Sequence, residues 1–205
     1  LRGKRVGVIG TGSSGIQTIP QLAEHAAQLV VFQRTPNFSI PAWNRPLPEQ
    51  EQQAWKQNYQ VHRERARNSR SGILYDYAQR GTFEVDEAER QAEYERRWRK
   101  GGANFNHCFN DIFVNAKSNE LAAEFVREKI YSIVTDPDTA KKLLPTQVIG
   151  CKRLCLDTGY YETFNRSNVS LVDVGSDPIE RITENGLVAG GDQHTFDVLV
   201  YATGF

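Results

Sequence analysis

The sequence predicts an α/β fold in three layers, with a parallel sheet, a β-meander and a large helical insertion. Three observations support this prediction. The chain opens with a strand, a glycine-rich turn, a helix and a second strand; residues 49–145 show helical patterns; and strand character returns at residue 169. A strand that is followed by a helix and a further strand is typical of a parallel sheet.

The opening unit has the length of a strand, helix, strand crossover. An apolar run at residues 6–9 precedes the glycines, and apolar residues then recur at helical spacing until a second apolar run at residues 29–32. Pro20 falls inside the predicted helix and removes one backbone hydrogen bond there. We therefore expect a kink at Pro20 and not an end of the helix.

Residues 49–145 are predicted to form a mainly helical insertion. The stretch from Glu49 to about Lys100 is rich in Gln, Glu and Arg, with oppositely charged residues at i,i+4 spacing, which is typical of solvated helices. Further along, Asp136 precedes Pro137, a pattern that predicts an N-cap followed by proline at the first helical position.

The last part of the chain is predicted to be β-structure. Strand character is found at residues 169–174, 180–183 and 187–189, and Asn185 and Gly186 predict a hairpin turn between the last two. The final apolar run, residues 198–202, predicts a buried parallel strand.

Composition excludes several classes of protein. The chain has 205 residues with 25 basic and 25 acidic side chains, so no general attraction to nucleic acid or to a membrane surface is expected. No apolar run approaches the roughly 20 residues of a membrane helix, and three cysteines do not resemble a disulfide framework. We expect a soluble, cytoplasmic protein. The absence of methionine leads us to expect a piece of a longer polypeptide.

Gly10, Gly12 and Gly15 form a GxGxxG motif between the first strand and the helix. In this context the first glycine permits a tight turn, the second lets the backbone approach a pyrophosphate, and the third allows close packing. Backbone N–H groups at the helix N-terminus then face the anion. Hydroxyl groups are offered by Thr11, Ser13 and Ser14. The motif predicts a Rossmann-like NAD(P)-binding domain.

The residues after the second strand indicate which dinucleotide is bound. An NAD site has an acidic residue there for the ribose hydroxyl, whereas this chain has Gln33, Arg34 and Thr35. Arginine offers a planar, permanently charged fork that suits a phosphate, and the threonine hydroxyl can donate beside it. The sequence therefore favours NADPH, although a surface arginine at a strand end is the alternative.

Residues 150–155 read GCKRLC and raise the question of a metal or redox site. Cys151 and Cys155 lack the C-x₂-C spacing of structural zinc and a second pair of ligands, so no metal site is predicted. No helix signal accompanies them to activate a thiol, so both are predicted to be small buried residues. On an extended backbone Lys152 and Arg153 would point to opposite faces, one toward a phosphate and one toward a reaction centre. A solvated basic pair is the alternative.

Four stretches, VIGTGSSGIQ, VFQRTP, GCKRLCLDTGYYETFNR and YATGF, together resemble the NADPH domain of Baeyer–Villiger monooxygenases of the cyclohexanone, phenylacetone and steroid type. The resemblance covers essentially the whole chain. It implies a parent enzyme in which FAD, held by a separate domain of the same polypeptide and reduced by NADPH, reacts with O₂. The C4a-peroxyflavin then converts a ketone into an ester or lactone. The family's FAD-binding glycine motif and its FxGxxxHxxxW fingerprint do not occur in these residues.

The resemblance also implies roles for individual residues. It assigns the pyrophosphate to the loop from Thr11 to Gln17, which includes Ile16, and the 2′-phosphate to Arg34, Thr35 and Lys152. Arg153 matches the family's catalytic arginine. A permanently charged guanidinium is suited to this role because it stabilises a peroxide anion and the oxyanion that forms on attack.

Three other interpretations stay open. An N- or S-oxygenating class B flavin monooxygenase shares the two-dinucleotide plan, although the Lys-Arg pair and the insertion argue against it. A non-catalytic NADP-sensing module would use its helical insertion to bind a protein partner. A disulfide reductase would need a redox cysteine pair in its flavin domain.

Overall fold

The structure is a computed structural model that describes residues 1–204. It contains both strands and helices. Its strands are β1 (Arg5–Ile9), β2 (Gln28–Gln33), β3 (Ser39–Pro41), β4 (Cys155–Asp157), β5 (Val169–Asp173), β6 (Ile179–Thr183), β7 (Gly186–Ala189), β8 (Asp192–Thr195) and β9 (Val198–Tyr201). Its helices are α1 (Ser13–His25), α2 (Glu49–Gln57), α3 (Tyr59–Arg67), α4 (Glu87–Lys100), α5 (Ala116–Ile133), α6 (Pro137–Leu143) and α7 (Tyr160–Thr163), with a 3₁₀ helix at Gly102–His107.

A four-stranded parallel sheet forms the centre, in the order β5, β2, β1, β9. Helix α1 runs through Pro20 and connects β1 to β2 as predicted. The expectation that β9 is a buried strand is wrong. It is parallel to β1 but lies at the edge of the sheet, where Tyr201 is exposed.

The two faces of the sheet pack against different layers because successive side chains of a strand point to opposite sides. Val6 and Val8 of β1 face the helical side, in the core that includes Ile16 and Ile19 of α1. On the opposite face, residues of β2 pack against the C-terminal strands; this smaller core contains Val30, Phe32, Leu187, Ala189 and Phe196. The three-layer α/β prediction is confirmed.

Strands β6, β7 and β8 form the predicted antiparallel meander. Asn185 and Gly186 lie at the turn between β6 and β7, as the hairpin signal predicts. The third strand, β8, gave no signal of its own, because DQHT contains no apolar residue. Its extended conformation depends on its antiparallel pairing with β7 and not on an apolar pattern of its own.

Helices α2 to α6 lie between β3 and β4 in the chain. Helices α2 and α3 bury no residue, in agreement with their predicted solvated character. Arg97 of α4 is an exception among the arginines, since its side chain is only 2% exposed and Nε donates to Glu93 Oε1 at 2.6 Å. Asp136 caps α6 as predicted, accepting from the Thr139 amide at 2.9 Å.

None of the helices within residues 1–204 combines the length and the apolar character that crossing a lipid bilayer requires.

An ion pair ties the beginning of β9 to the beginning of β1. Asp197 Oδ1 accepts from the Arg5 guanidinium at 2.8 Å, and Oδ2 accepts from the Arg5 backbone N–H at 2.8 Å. Because the hydrogen bonds from the Arg5 side chain and backbone favour the carboxylate, the pKa of Asp197 falls to about 2.

Asp197→Asn is expected to lower stability at neutral pH, and the effect should shrink as pH falls from about 4 toward 2 and disappear below 2. A carboxylate whose pKa falls on folding stabilises the protein above its unfolded pKa of about 3.9. That stabilisation is lost as pH falls through the folded pKa of about 2. Urea unfolding midpoints of the wild type and the variant, measured across this range, should converge at low pH. Asp192→Asn is the control, and a difference for Asp197→Asn that stays constant with pH contradicts the prediction.

Candidate functional site

The glycine loop follows β1 and has three glycines in different surroundings. Gly10 has a φ of +108°, and a Cβ placed there would lie 2.4 Å from the Ala202 carbonyl oxygen. A Cβ on Gly15 would lie 2.2 Å from the Gly10 carbonyl oxygen. A Cβ on Gly12 would meet no atom within 4 Å. The outer glycines are therefore required by packing, while the middle one leaves open space at the surface of the loop.

Helix α1 begins directly after Gly12, and no side chain within residues 1–204 caps its first turn. The unpaired amides of that turn carry the positive end of the helix dipole. Of the predicted loop residues, Ser13, Ser14 and Gln17 are exposed. Ile16 is fully buried in the core and its amide donates to the Gly12 carbonyl at 2.9 Å, so the free amides of this turn belong to the residues before Ile16. An exposed turn with free amides suits a pyrophosphate.

Strands β3 and β4 form a separate parallel pair that the sequence did not predict, with Ser39 opposite Cys155 and Pro41 opposite Asp157. Because the two strands run in the same direction, the residues that precede them enter from the same end. Arg34 and Thr35 precede β3, while residues 151–153 precede β4. The pairing thus brings two basic segments, more than a hundred residues apart in sequence, to one end of a two-stranded sheet.

Hydrogen bonds connect this end to the glycine loop. Thr11 Oγ1 donates to the Thr35 carbonyl oxygen at 3.2 Å. The Cys155 sulfur lies 3.4 Å from Ser13 Oγ at the start of α1 and accepts from Asn37 Nδ2 at 3.1 Å. Three segments, the glycine loop, the residues after β2 and the residues before β4, therefore meet around Thr11 and Cys155.

The predicted cations Arg34, Lys152 and Arg153 are all exposed. Within residues 1–204 none of the three forms a salt bridge. Most of the salt bridges within residues 1–204 lie instead in the region of α2 to α5. Cations without acidic partners beside a free helix N-terminus are the donor set that a phosphorylated dinucleotide requires, so the residues fit NADP.

The two cysteines of GCKRLC differ. Cys155 is buried, as predicted, and burial raises the pKa of its thiol. Cys151 is exposed, so its predicted burial is wrong. Both were predicted to be packing residues, but β4 begins only at Cys155, and Cys151 lies in a bend outside it. Both thiols are free, and residues 1–204 contain no group of side chains that could hold a metal ion.

The backbone of Lys152 also differs from the expectation. Cys151 and Lys152 lie in a bend, and these two residues and Arg153 are all exposed. The extended strand β4 starts two residues after Arg153, at Cys155. The alternation of side chains along an extended strand therefore does not apply to Lys152 and Arg153. We call the exposed residues Cys151, Lys152 and Arg153 the cation turn.

Asp157 is a buried residue of the site that sequence reasoning missed. Its carboxylate accepts from Ser39 Oγ across the β3–β4 pair and from the Tyr160 amide at 3.0 Å. The only local signal was an aspartate three residues before Tyr160, which is the spacing of a helix cap. Its bond to Ser39, 118 residues away, has no local signature.

No family model matches the chain, but curated relatives match it along its length. Cyclohexanone 1,2-monooxygenase of Acinetobacter sp is 42% identical over 100% of this chain, and a Baeyer–Villiger monooxygenase of Pseudooceanicola batsensis is 36% identical over 100%. The chain is homologous to part of the Baeyer–Villiger monooxygenases. It spans 38% of the length of each of these two relatives. The resemblance inferred from the four sequence stretches is confirmed.

Solved structures agree with this relationship to the Baeyer–Villiger monooxygenases. An oxidized steroid monooxygenase bound to NADP is 48% identical with a TM-score of 0.95, covering 100% of this chain and 39% of that chain. OTEMO in complex with FAD and NADP is 40% identical with a TM-score of 0.97 and the same coverage of both chains. The sheet, the meander and the helical region therefore have counterparts in these proteins.

One further relative changes an argument made from the sequence. A phenazine N-monooxygenase of Lysobacter antibioticus is 42% identical over 100% of this chain, which spans 38% of that relative. Because the match includes the helical region, the insertion does not separate Baeyer–Villiger monooxygenases from an N-oxygenating relative.

Gly15→Ala is expected to destabilise the fold by about 1–3 kcal/mol, because the added methyl group overlaps the Gly10 carbonyl. Gly12→Ala is the matched control and should unfold at the wild-type temperature, since its Cβ meets open space and its φ of −83° suits any residue. Thermal unfolding followed by circular dichroism measures both. Equal unfolding temperatures for the two variants contradict the packing assigned to Gly15.

Proposed function

We propose that residues 1–205 form the NADPH-binding domain of a longer, FAD-dependent Baeyer–Villiger monooxygenase, with the helical insertion at about residues 49–145. The full-length enzyme would insert one oxygen atom of O₂ into a ketone to give an ester or lactone. The convergence of Arg34, Thr35 and the cation turn beside the glycine loop carries the proposal. The ketone monooxygenase relatives and the NADP-bound steroid monooxygenase support it.

The glycine loop would hold the pyrophosphate of NADPH through the free amides at the start of α1. Arg34, Thr35 and Lys152 would hold the 2′-phosphate. Thr11 donates its hydroxyl to the Thr35 carbonyl, which ties Thr35 to the glycine loop, and the Thr35 hydroxyl would donate to the phosphate. No carboxylate stands after β2, and the buried amide of Gln33 at the end of that strand donates to the Lys142 carbonyl at 2.7 Å.

Arg153 would be the catalytic residue that this chain contributes. Its guanidinium has no acidic partner within residues 1–204, and its charge is permanent. A permanent cation at the reaction centre stabilises negative charge that develops on oxygen. FAD, held by another domain of the same polypeptide, would supply the activation of O₂ when bound. The structures of OTEMO with FAD and NADP support the presence of both cofactors in this kind of enzyme.

Lys152→Ala and Arg34→Ala in the full-length protein are each expected to raise KM for NADPH by about 10- to 100-fold and to leave KM for NADH nearly unchanged. Each removes a charge-assisted bond to the 2′-phosphate, which NADH lacks. Lys56→Ala, which removes an exposed cation from α2, is the control for charge. Steady-state kinetics with both cofactors measure the effect, and equal changes with NADPH and NADH contradict the phosphate role.

Arg153→Ala is expected to lower the rate of ester formation by at least about 100-fold while NADPH still binds. The measurement combines lactone production from cyclohexanone with the dissociation constant of NADPH. Arg153→Lys should recover part of the rate, because it keeps a positive charge but not the planar fork. Unchanged lactone formation in Arg153→Ala contradicts the catalytic role of Arg153, whereas NADPH binding without any product from the wild type favours a non-catalytic NADP-sensing module.

Oxygenation of nitrogen is the second candidate function, because the phenazine N-monooxygenase is as similar to this chain as cyclohexanone monooxygenase is, at 42% identity. Product analysis of the full-length protein separates the two. Cyclohexanone yields a lactone only under the first function, and phenazine yields an N-oxide only under the second.

We also propose a cytoplasmic location. Its support is the state of the three cysteines, Cys108, Cys151 and Cys155, which are all free. The proposed partners are a small-molecule ketone, O₂ and the FAD domain of the same polypeptide. The balanced charge of 25 basic and 25 acidic residues gives no reason to add nucleic acid or a membrane.

A further inference from the structure

The side chain of Asn119 on α5 holds a backbone segment that lies just before the cation turn. Its Nδ2 donates to the Ile149 carbonyl at 2.9 Å and to the Ile112 carbonyl at 3.0 Å. Its Oδ1 accepts from the Ile149 amide at 3.1 Å. One side chain thus pairs with both backbone groups of Ile149, in the manner of a neighbouring strand.

These hydrogen bonds matter because Asn119 and Ile149 are both shielded from water. Asn119 is 5% exposed and Ile149 is 1% exposed. A buried backbone group without a partner is costly, and within residues 1–204 the amide and carbonyl of Ile149 have no partner other than Asn119. Asn119 therefore fixes the place of Ile149, and its removal would release that residue.

Phe113 restricts the space beside Gly150, the residue that follows Ile149. Gly150 has a φ of +89°, and a Cβ placed on it would lie 2.3 Å from Phe113 Cε1. The aromatic ring therefore occupies the space beside Gly150. Phe113 itself is 55% exposed and is not part of the buried core, so its contact with the turn can be removed without opening the interior.

The cation turn is a short tether between buried anchors. Ile149 is buried at one end, and Leu154 and Cys155 are buried at the other. The Cys151 amide donates to the Val148 carbonyl at 3.1 Å, which tightens the turn further. Since only four residues separate Ile149 from Leu154, a displacement of Ile149 must move Lys152 and Arg153 as well.

We propose that Asn119 and Phe113 are positioning residues that set the place of Lys152 and Arg153, so that the second half of the helical insertion is a working part of the NADPH site. The proposal rests on the proposed function of the two cations. Neither positioning residue needs to touch a ligand. Asn119 acts through the backbone of Ile149 and Phe113 acts through Gly150, and both residues lie in the later half of the connection from β3 to β4.

The test uses the full-length protein with Asn119→Ala and the matched control Ser118→Ala. Ser118 is the preceding residue of α5 and is also buried, but its hydroxyl donates to Asp111 Oδ2 at 2.7 Å and not to Ile149. Both variants lose a buried hydrogen bond, so both should unfold at a lower temperature. Only Asn119→Ala is expected to lower kcat/KM with NADPH by about 10- to 100-fold, because small misplacements of binding groups have effects of that size.

Two readouts separate positioning from general destabilisation. The ratio of kcat/KM for NADPH to that for NADH should fall in Asn119→Ala, since only the 2′-phosphate depends on Lys152. The amount of oxygenated product per NADPH consumed should fall too, since Arg153 moves with the same turn. Ser118→Ala should keep both at the wild-type level. A folded Asn119→Ala protein that keeps both overturns the proposal.

Phe113→Ala keeps the proposal testable if Asn119→Ala does not fold. Removal of this exposed ring should reduce the NADPH to NADH ratio about two- to tenfold, a size usual for residues that act through others. An unchanged ratio in Phe113→Ala, when Asn119→Ala fails to fold, overturns the proposal.

The wild-type protein distinguishes this proposal from the proposed function. No preference for NADPH over NADH in the wild type contradicts the proposed function. A preference that is unchanged from the wild type in folded Asn119→Ala and Phe113→Ala contradicts the positioning roles and leaves the proposed function intact. The ratio stays informative whether a ketone or a nitrogen atom is oxygenated, because it depends only on the cofactor.

Discussion

The parallel pairing of β3 with β4 is the constraint on which the candidate site depends. Each strand has three residues, and such a short parallel pair has little stability of its own. Buried side chains secure it: Ser39 Oγ donates to the Asp157 carboxylate, and the Ser39 amide donates to the Tyr161 hydroxyl at 3.2 Å. Burial raises the pKa of Tyr161 well above its usual range, so this hydroxyl stays protonated and donates to the Asn37 carbonyl at 3.3 Å. Without this pair, the two basic segments would have no common end.

The helical region between β3 and β4 has two parts with different relations to the sheet. Helices α2 and α3 bury no residue. The later part is bonded to the residues around the site: Gln33 donates to the Lys142 carbonyl at 2.7 Å, and Gln147 donates to the Pro36 carbonyl at 3.0 Å. Together with Asn119, these amides fasten the insertion to both basic segments. A polar side chain is suited to this because it can satisfy backbone groups of an irregular segment that no strand pairs with.

The three glycines of the loop differ in what requires them: two are required by packing, and one leaves space for a ligand. A side chain on Gly10 or Gly15 would overlap a backbone carbonyl, while a side chain on Gly12 would meet open space. Cys155 joins two segments of the site. Its sulfur contacts Ser13 of the loop, and its thiol also donates to the Arg153 carbonyl at 3.7 Å. Cys155 is therefore structural, because its buried thiol joins the start of α1 to Arg153 of the cation turn, whereas Cys151 is exposed.

The sequence by itself determined the features that depend on a few neighbouring residues. The glycine motif, the absence of an acid after β2, the Asp136 cap and the turn at Gly186 follow from local backbone preference and periodicity, which act over less than about ten residues. Only the tertiary structure decided that β3 pairs with β4, that β9 lies at an edge, that Cys151 is exposed and that Asn119 holds Ile149. These features join residues 30 to more than 100 positions apart, or depend on what packs beside them. No local pattern encodes such partners, because the bonds form only after the sheet has brought distant segments together.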